Sequence, residues 1–221
     1  VFNRKTNDMK TRPPLPSYIG NDPSTANVGS MLNQGIDMEF GYDRTYSKNF
    51  SFGVSGNLSF IKNEVVLIGN DAGYLTGAGW GTQGIEITRI TEGLPIGYLF
   101  GYQTDGIFQT QEEIDNATVT QAGAQVGDLK FVDQDGDGEI NFSNNTDKTM
   151  LGSPIPKFIL GSVLGFNLFG VDISTNLYAA LGHKIVRNYE RQQPYANQLG
   201  YVMDRWTVDN PSNENPRVTT S

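Results

Sequence analysis

The chain has 221 residues, of which 37% are hydrophobic and 11% aromatic, enough to build a core or an apolar belt. Its 24 acidic and 16 basic residues leave a net charge of −8, which argues against a phosphate-neutralising face and so against nucleic acid as a partner. With no cysteine and a single histidine, His183, it offers no disulfides, no thiolate chemistry and no multi-histidine zinc site.

No run approaches the roughly 20 apolar residues that a membrane-spanning helix needs, and the opening VFNRKTNDMK lacks the charged-then-apolar form of a signal peptide. A membrane barrel stays open, because its strands need only about 10 residues with every second one apolar. Abundant glycine, asparagine, threonine and aromatics favour strands and turns. In chain order, Val1 to Asp8 reads as the end of a strand, and Met9 to Gln34 as a long connection. IDMEFGY then sets Ile36, Met38, Phe40 and Tyr42 on one face, with Asp37 and Glu39 on the other. DRTYSKN reads as a tight turn into FSFGVSGNLSF, where Phe50, Phe52, Val54, Leu58 and Phe60 share a face.

A long, aperiodic stretch follows from Asn63 to Pro156. A second hairpin then places Phe158, Leu160, Leu164, Phe166 and Leu168 opposite Val171, Ile173, Leu177, Ala179 and Leu181, with only Phe169 and Gly170 between the strands. From Gly182 onward periodicity is lost again. Short and long connections thus alternate. In an up-and-down antiparallel arrangement this puts all long loops on one side, as in outer-membrane barrels, with Asp37, Glu39, Asn57, Asn167, Asp172 and Asn176 lining a wet interior. A secreted β-sandwich with its apolar face turned inward shows the same alternation and is the alternative reading, as an adhesin or carbohydrate-binding module. Four strands and part of a fifth cannot close a membrane barrel, whose smallest form has about eight, so a barrel reading makes the chain a segment.

Four stretches carry a family resemblance. NVGSMLNQGIDMEFGYD, EGLPIGYLFGYQTDGIFQTQEEI, GDLKFVDQDGDGEI followed by LGSPIPKFILG, and DRWTVDNPSNENPR occur in an order and spacing that resembles the SusC/RagA-like TonB-dependent outer-membrane receptors of Bacteroidota. The resemblance implies an all-β fold: residues 1–221 as an antiparallel transmembrane segment from the C-terminal half of a barrel of about 22 strands. It implies extracellular loops at 64–155 and 183–221. It further implies nutrient import of glycans or oligopeptides, not enzymatic turnover. The partners would be a SusD-like surface lipoprotein, outer-membrane lipid, and TonB through a plug-bearing N-terminal part that is not among these residues.

The densest chemistry is in FVDQDGDGEINF. Asp133, Asp135 and Asp137 stand at alternate positions, Gly138 permits a sharp turn, and the carbonyl of Glu139 can add an oxygen, which together make the opening half of a calcium loop. The position of the closing glutamate in an EF-hand is held by Asn144, and no amphipathic helices flank the loop. The resembling family has a further aspartate after the isoleucine, and the nearest one here is Asp147 within the loop 133–147. The expected site is therefore Asp133, Asp135, Asp137, Glu139 and Asp147 around a structural Ca2+. Carboxylates on one turn are badly placed for glycoside hydrolysis, and His183, beside Lys184, has no nucleophile motif with it. Tyr102, Phe108, Tyr189, Tyr195 and Trp206 are candidates to face an incoming nutrient; packing between loops is their other possible role.

Overall fold

The computed structural model describes residues 1–11, 26–70, 72–77, 79–80, 85–187 and 199–218. In chain order the strands are β1 (Phe2–Thr11), β2 (Ala26–Ser47), β3 (Phe50–Leu67), β4 (Tyr74–Thr76), β5 (Gly79–Trp80), β6 (Ile85–Glu86), β7 (Thr88–Thr91), β8 (Tyr98–Tyr102), β9 (Thr104–Ile107), β10 (Thr120–Gln121), β11 (Leu129–Phe131), β12 (Glu139–Ile140), β13 (Lys148–Gly152), β14 (Phe158–Leu168) and β15 (Val171–Leu181). A short α-helical turn, α1 (Gln111–Asp115), lies between β9 and β10, and a 3-10 turn spans Gly200–Asp204. The fold is all-β and its long strands are antiparallel.

Two compact units emerge. One comprises residues 1–78, 88–99 and 152–185; the other comprises 79–87, 100–151 and 186–221. The first is built on a five-stranded sheet of order β1-β2-β3-β14-β15, which stays open at β1 and β15. Its register sets Ile36 against Phe60, Phe60 against Phe158 and Phe158 against Leu181. Toward the turns the same face runs through Phe40, Gly56, Ser162 and Leu177 to Phe50, Leu168 and Val171. The apolar face predicted from the alternation is thus continuous across four strands, with tilted ring pairs at Phe60–Phe158 (5.3 Å) and Phe52–Phe166 (5.1 Å). It is also bare: Met38, Phe40 and Ile173 are 53%, 56% and 54% exposed. A sandwich would bury these side chains against a second sheet, so their exposure disfavours that alternative. The opposite face carries Asp37, Glu39, Asn57 and Asn176, together with Gly41, Gly53 and Gly165.

Both short turns contain two residues. Lys48 and Asn49 join β2 to β3, and Phe169 and Gly170 join β14 to β15. Phe169 (φ 50) and Gly170 (φ 84) are both left-handed, the backbone of a type I′ turn whose twist matches that of the flanking strands. The turn expected over DRTYSKN is shorter than the sequence suggests, because Asp43 to Ser47 still belong to β2. A register shift between Thr45 and Ser47 breaks the alternation there. The connection expected from Met9 to Gln34 is likewise shortened, since β1 reaches Thr11 and β2 starts at Ala26. Shifts at Met9 and at Ser30–Met31 hide the strand period.

The segment Glu92–Gly97 is pinned to the upper end of β3. Val65 N–H donates to Leu94 O (2.9 Å), Gly93 N–H to Val65 O (2.8 Å) and Ile68 N–H to Glu92 Oε1 (2.9 Å). Asn63, itself buried, accepts from Ile96 N–H (2.8 Å) and donates to Asn33 Oδ1 (2.7 Å). Buried Val65, Ile68 and Tyr98 make a small core at this level.

Candidate functional site

The second unit holds the acidic loop. After β11 the chain turns at Asp133, whose Oδ1 accepts from Gly136 N–H (2.7 Å) and whose Oδ2 accepts from Gly138 N–H (2.9 Å). Gly136 (φ 77) and Gly138 (φ 87) supply the left-handed backbone that this double acceptance needs. These bonds, first that from Gly138 and then that from Gly136, hold the Asp133 carboxyl below its ordinary range and keep it ionised.

Asp147 comes back into the turn from the start of β13. It is completely buried, its Oδ1 accepting from Gln134 N–H (3.2 Å) and its Oδ2 from Asn141 N–H (2.8 Å). The structure brings Asp133, Asp135 and Asp147 together, with one carboxylate oxygen of each within 4.8 Å of the others. The carboxylates of Asp137 and Glu139 are not gathered into this group; the oxygen expected from Glu139 is its backbone carbonyl. Asp137 instead turns its Oδ1 to cap Glu139 N–H (2.8 Å). Three carboxylates this close repel one another, and the donors are all hard oxygens, so the set fits a hard divalent cation such as Ca2+.

An aromatic trio flanks the loop. Tyr102, Phe131 and Phe142 meet edge to face or tilted, with centroids 5.3 to 5.6 Å apart. Tyr102 donates its hydroxyl to Asn141 O (3.2 Å). Burial and then the charge of Asp147 raise its phenol above the usual range.

Two of the residues proposed to face a nutrient are buried. Phe108 is 2% exposed and Trp206 is 9% exposed. Trp206 lies over Gly127 and donates Nε1–H to Gln109 Oε1 (2.9 Å), while the Gln109 amide donates to Ser212 O and Asn213 Oδ1 (3.1 Å each). Arg217 forks onto Asp128 (2.6 and 3.1 Å), and its backbone N–H donates to Gly127 O (2.8 Å). Trp206 and Arg217 therefore lock the loop segment 199–218 onto residues 107–128. Tyr102 is partly exposed, and Tyr189 and Tyr195 lie outside the described residues. Nothing local in the sequence signals the Trp206–Gln109 or Arg217–Asp128 contacts, which join residues about 90 to 100 positions apart. His183 is half-buried, and its Nδ1 lacks a hydrogen-bond partner among the described residues.

No family model matches the chain. It is 28% identical over 221 residues to TonB-dependent receptor P26 of Formosa agariphila, covering 98% of this chain and 22% of the relative. It is 24% identical over 189 residues to TonB-dependent receptor SusC of Bacteroides thetaiotaomicron, covering 84% of this chain and 17% of SusC. In fold it is similar to the solved structure of the RagAB peptide importer in its open-open state, with a TM-score of 0.69 and 18% identity over 99% of this chain and 23% of that one. The chain thus spans about a fifth of the length of the relatives it matches. Along almost its whole length, in sequence and in fold, it is similar to a segment of the SusC-like TonB-dependent receptors.

Proposed function

We propose that the chain forms wall, lumen lining and extracellular loops of an outer-membrane nutrient importer that takes up glycans or oligopeptides. A SusD-like lipoprotein would act as its lid, and the plug-bearing part of such a receptor would couple it to TonB. The observation that carries this reading is the bare apolar face of the sheet. The ten residue steps of β14 at about 3.3 Å rise, tilted by about 40°, span about 25 Å, the height of an outer-membrane barrel's apolar band. Above that band Lys62 and Glu64 pair at 2.7 Å, which supports a boundary with water there. The RagAB neighbour is a peptide importer, which favours oligopeptides as the first class to test.

The test is growth of a strain lacking the receptor gene on oligopeptides or on polysaccharides as the limiting nutrient, with fractionation of the wild-type protein. The reading predicts an outer-membrane protein that detergent alone extracts, and a growth defect on one of the two nutrients. A protein recovered soluble in the medium would overturn it.

Ca2+ held by Asp133, Asp135 and Asp147 would supply a fixed positive charge that clamps the loop and relieves carboxylate repulsion; no chemical step is assigned to it. Calorimetry on the intact receptor with calcium should show binding that Asp135→Asn weakens. Absence of heat in the wild-type protein would remove the cation from this account.

A further inference from the structure

We propose that Arg44, assisted by Tyr42 and Tyr46, binds the phosphate of a lipid headgroup in the leaflet beside the short turns. The proposal rests on the reading of the apolar face as lipid-facing. On that face, from the level of Ile36 to the level of Phe50, the four paired strands carry aliphatic, aromatic, glycine, serine and threonine residues, and Arg44 is the sole charge. A guanidinium is strongly disfavoured at the middle of a bilayer and well tolerated at its boundary.

Arg44 sits at that boundary. It pairs in register with Phe52, which adjoins Phe166, one outward position above Phe50 and Leu168 at the turns. Two residues of strand place it about 7 Å along the chain from that level. Its guanidinium lies over the Tyr46 ring, 5.1 Å from the centroid, and Tyr42 is the preceding residue of β2 on the same face. No carboxylate pairs with it among the described residues. Neighbouring Asp43 lies on the other face against Gly53, and Asp172 there accepts from Asn167 Nδ2 (2.7 Å). A fixed cation with open N–H donors, set among exposed aromatics at headgroup depth, is matched by a phosphate, whose oxygens accept the guanidinium fork in pairs.

The test is native mass spectrometry of the full-length receptor in detergent, titrated with phosphatidylglycerol or with diacylglycerol, which has the same tails and no phosphate. Wild-type protein should retain phosphatidylglycerol in preference to diacylglycerol, and Arg44→Gln should weaken that retention about threefold to tenfold. Lys62→Gln, at the opposite edge of the band, should not. Arg44 is exposed, so its replacement removes no core contact. Equal phosphatidylglycerol retention by wild type and Arg44→Gln, or equal retention of both lipids by wild type, overturns the proposal. If both proteins still need detergent in that case, the lipid-facing reading stands; if neither does, that reading falls instead.

Discussion

Replacing Trp206 with alanine should undock the loop segment 199–218 while leaving the five-stranded sheet intact. The indole is 9% exposed, covers Gly127 and fixes Gln109 through Nε1. Truncating a buried tryptophan costs about 3–5 kcal/mol, which includes the hydrogen bond left unmade at Gln109. At about 1.4 kcal/mol per factor of ten, the docked state should open roughly 100-fold to 4,000-fold more often. Hydrogen exchange reads this directly at three amides: Trp206 N–H on Asn215 O (2.9 Å), Arg217 N–H on Gly127 O (2.8 Å) and Gly127 N–H on Phe108 O (2.8 Å). All three should lose protection together in the full-length protein, while Val54 and Leu164 in the sheet keep theirs. Trp206→Phe, which keeps most of the ring but not the donor, should cost about 1 kcal/mol and speed exchange about fivefold. Unchanged protection of these amides in Trp206→Ala would refute the lock.

Gly127→Ala should mimic that defect from the other side. Its Cβ would lie 2.5 Å from the indole at a backbone φ of 90, so a loss of about 2–3 kcal/mol in local stability is expected by the same exchange measurement. Leu164→Arg on the apolar face should cost about 2–4 kcal/mol of folding stability in lipid, measured by denaturant titration in vesicles, whereas Val163→Arg on the opposite face should cost far less. Similar losses at the two positions would contradict the assignment of faces. The Asp133 carboxyl is held below its usual 3.8, so the folded loop favours its ionised form. Its contribution is full above that pH and is lost as acid passes through the lower folded value. The Gly136 and Gly138 amide shifts should titrate together below pH 3.8, and a midpoint above it would count against the double acceptance.

The strands were legible where alternation was clean. From Phe50 to Phe60 and from Phe158 to Leu181, side-chain period and register agree residue by residue, because each strand presents one apolar and one polar face. Legibility failed at Ser30, Met9 and Tyr46, where bulges invert the parity and a strand reads as loop. Asp133, Asp135 and Asp147 come together in the structure, since the first two are close in sequence and the third is carried back by the turn before β13. The acidic stretch gave no sign that Asp137 would face away, because that depends on which backbone N–H each carboxylate caps. The roles of Phe108 and Trp206 were beyond local pattern altogether: whether an aromatic in a loop faces solvent or another loop is decided by a partner far along the chain.

The sheet closes across its longest interruption. β3 and β14 are hydrogen-bonded neighbours, although about 90 residues separate their ends. For a flexible chain, the entropy of joining two fixed points grows only with the logarithm of the connection's length. A segment this long therefore costs roughly 3 kcal/mol more than a tight turn, and its own hydrogen bonds and buried aromatics offset part of that. Residues can accordingly be added to or removed from the excursion with little effect on how Phe60 meets Phe158. The scaffold is indifferent to the size of what it displays, so the loop is free to diversify while the register of the wall stays fixed.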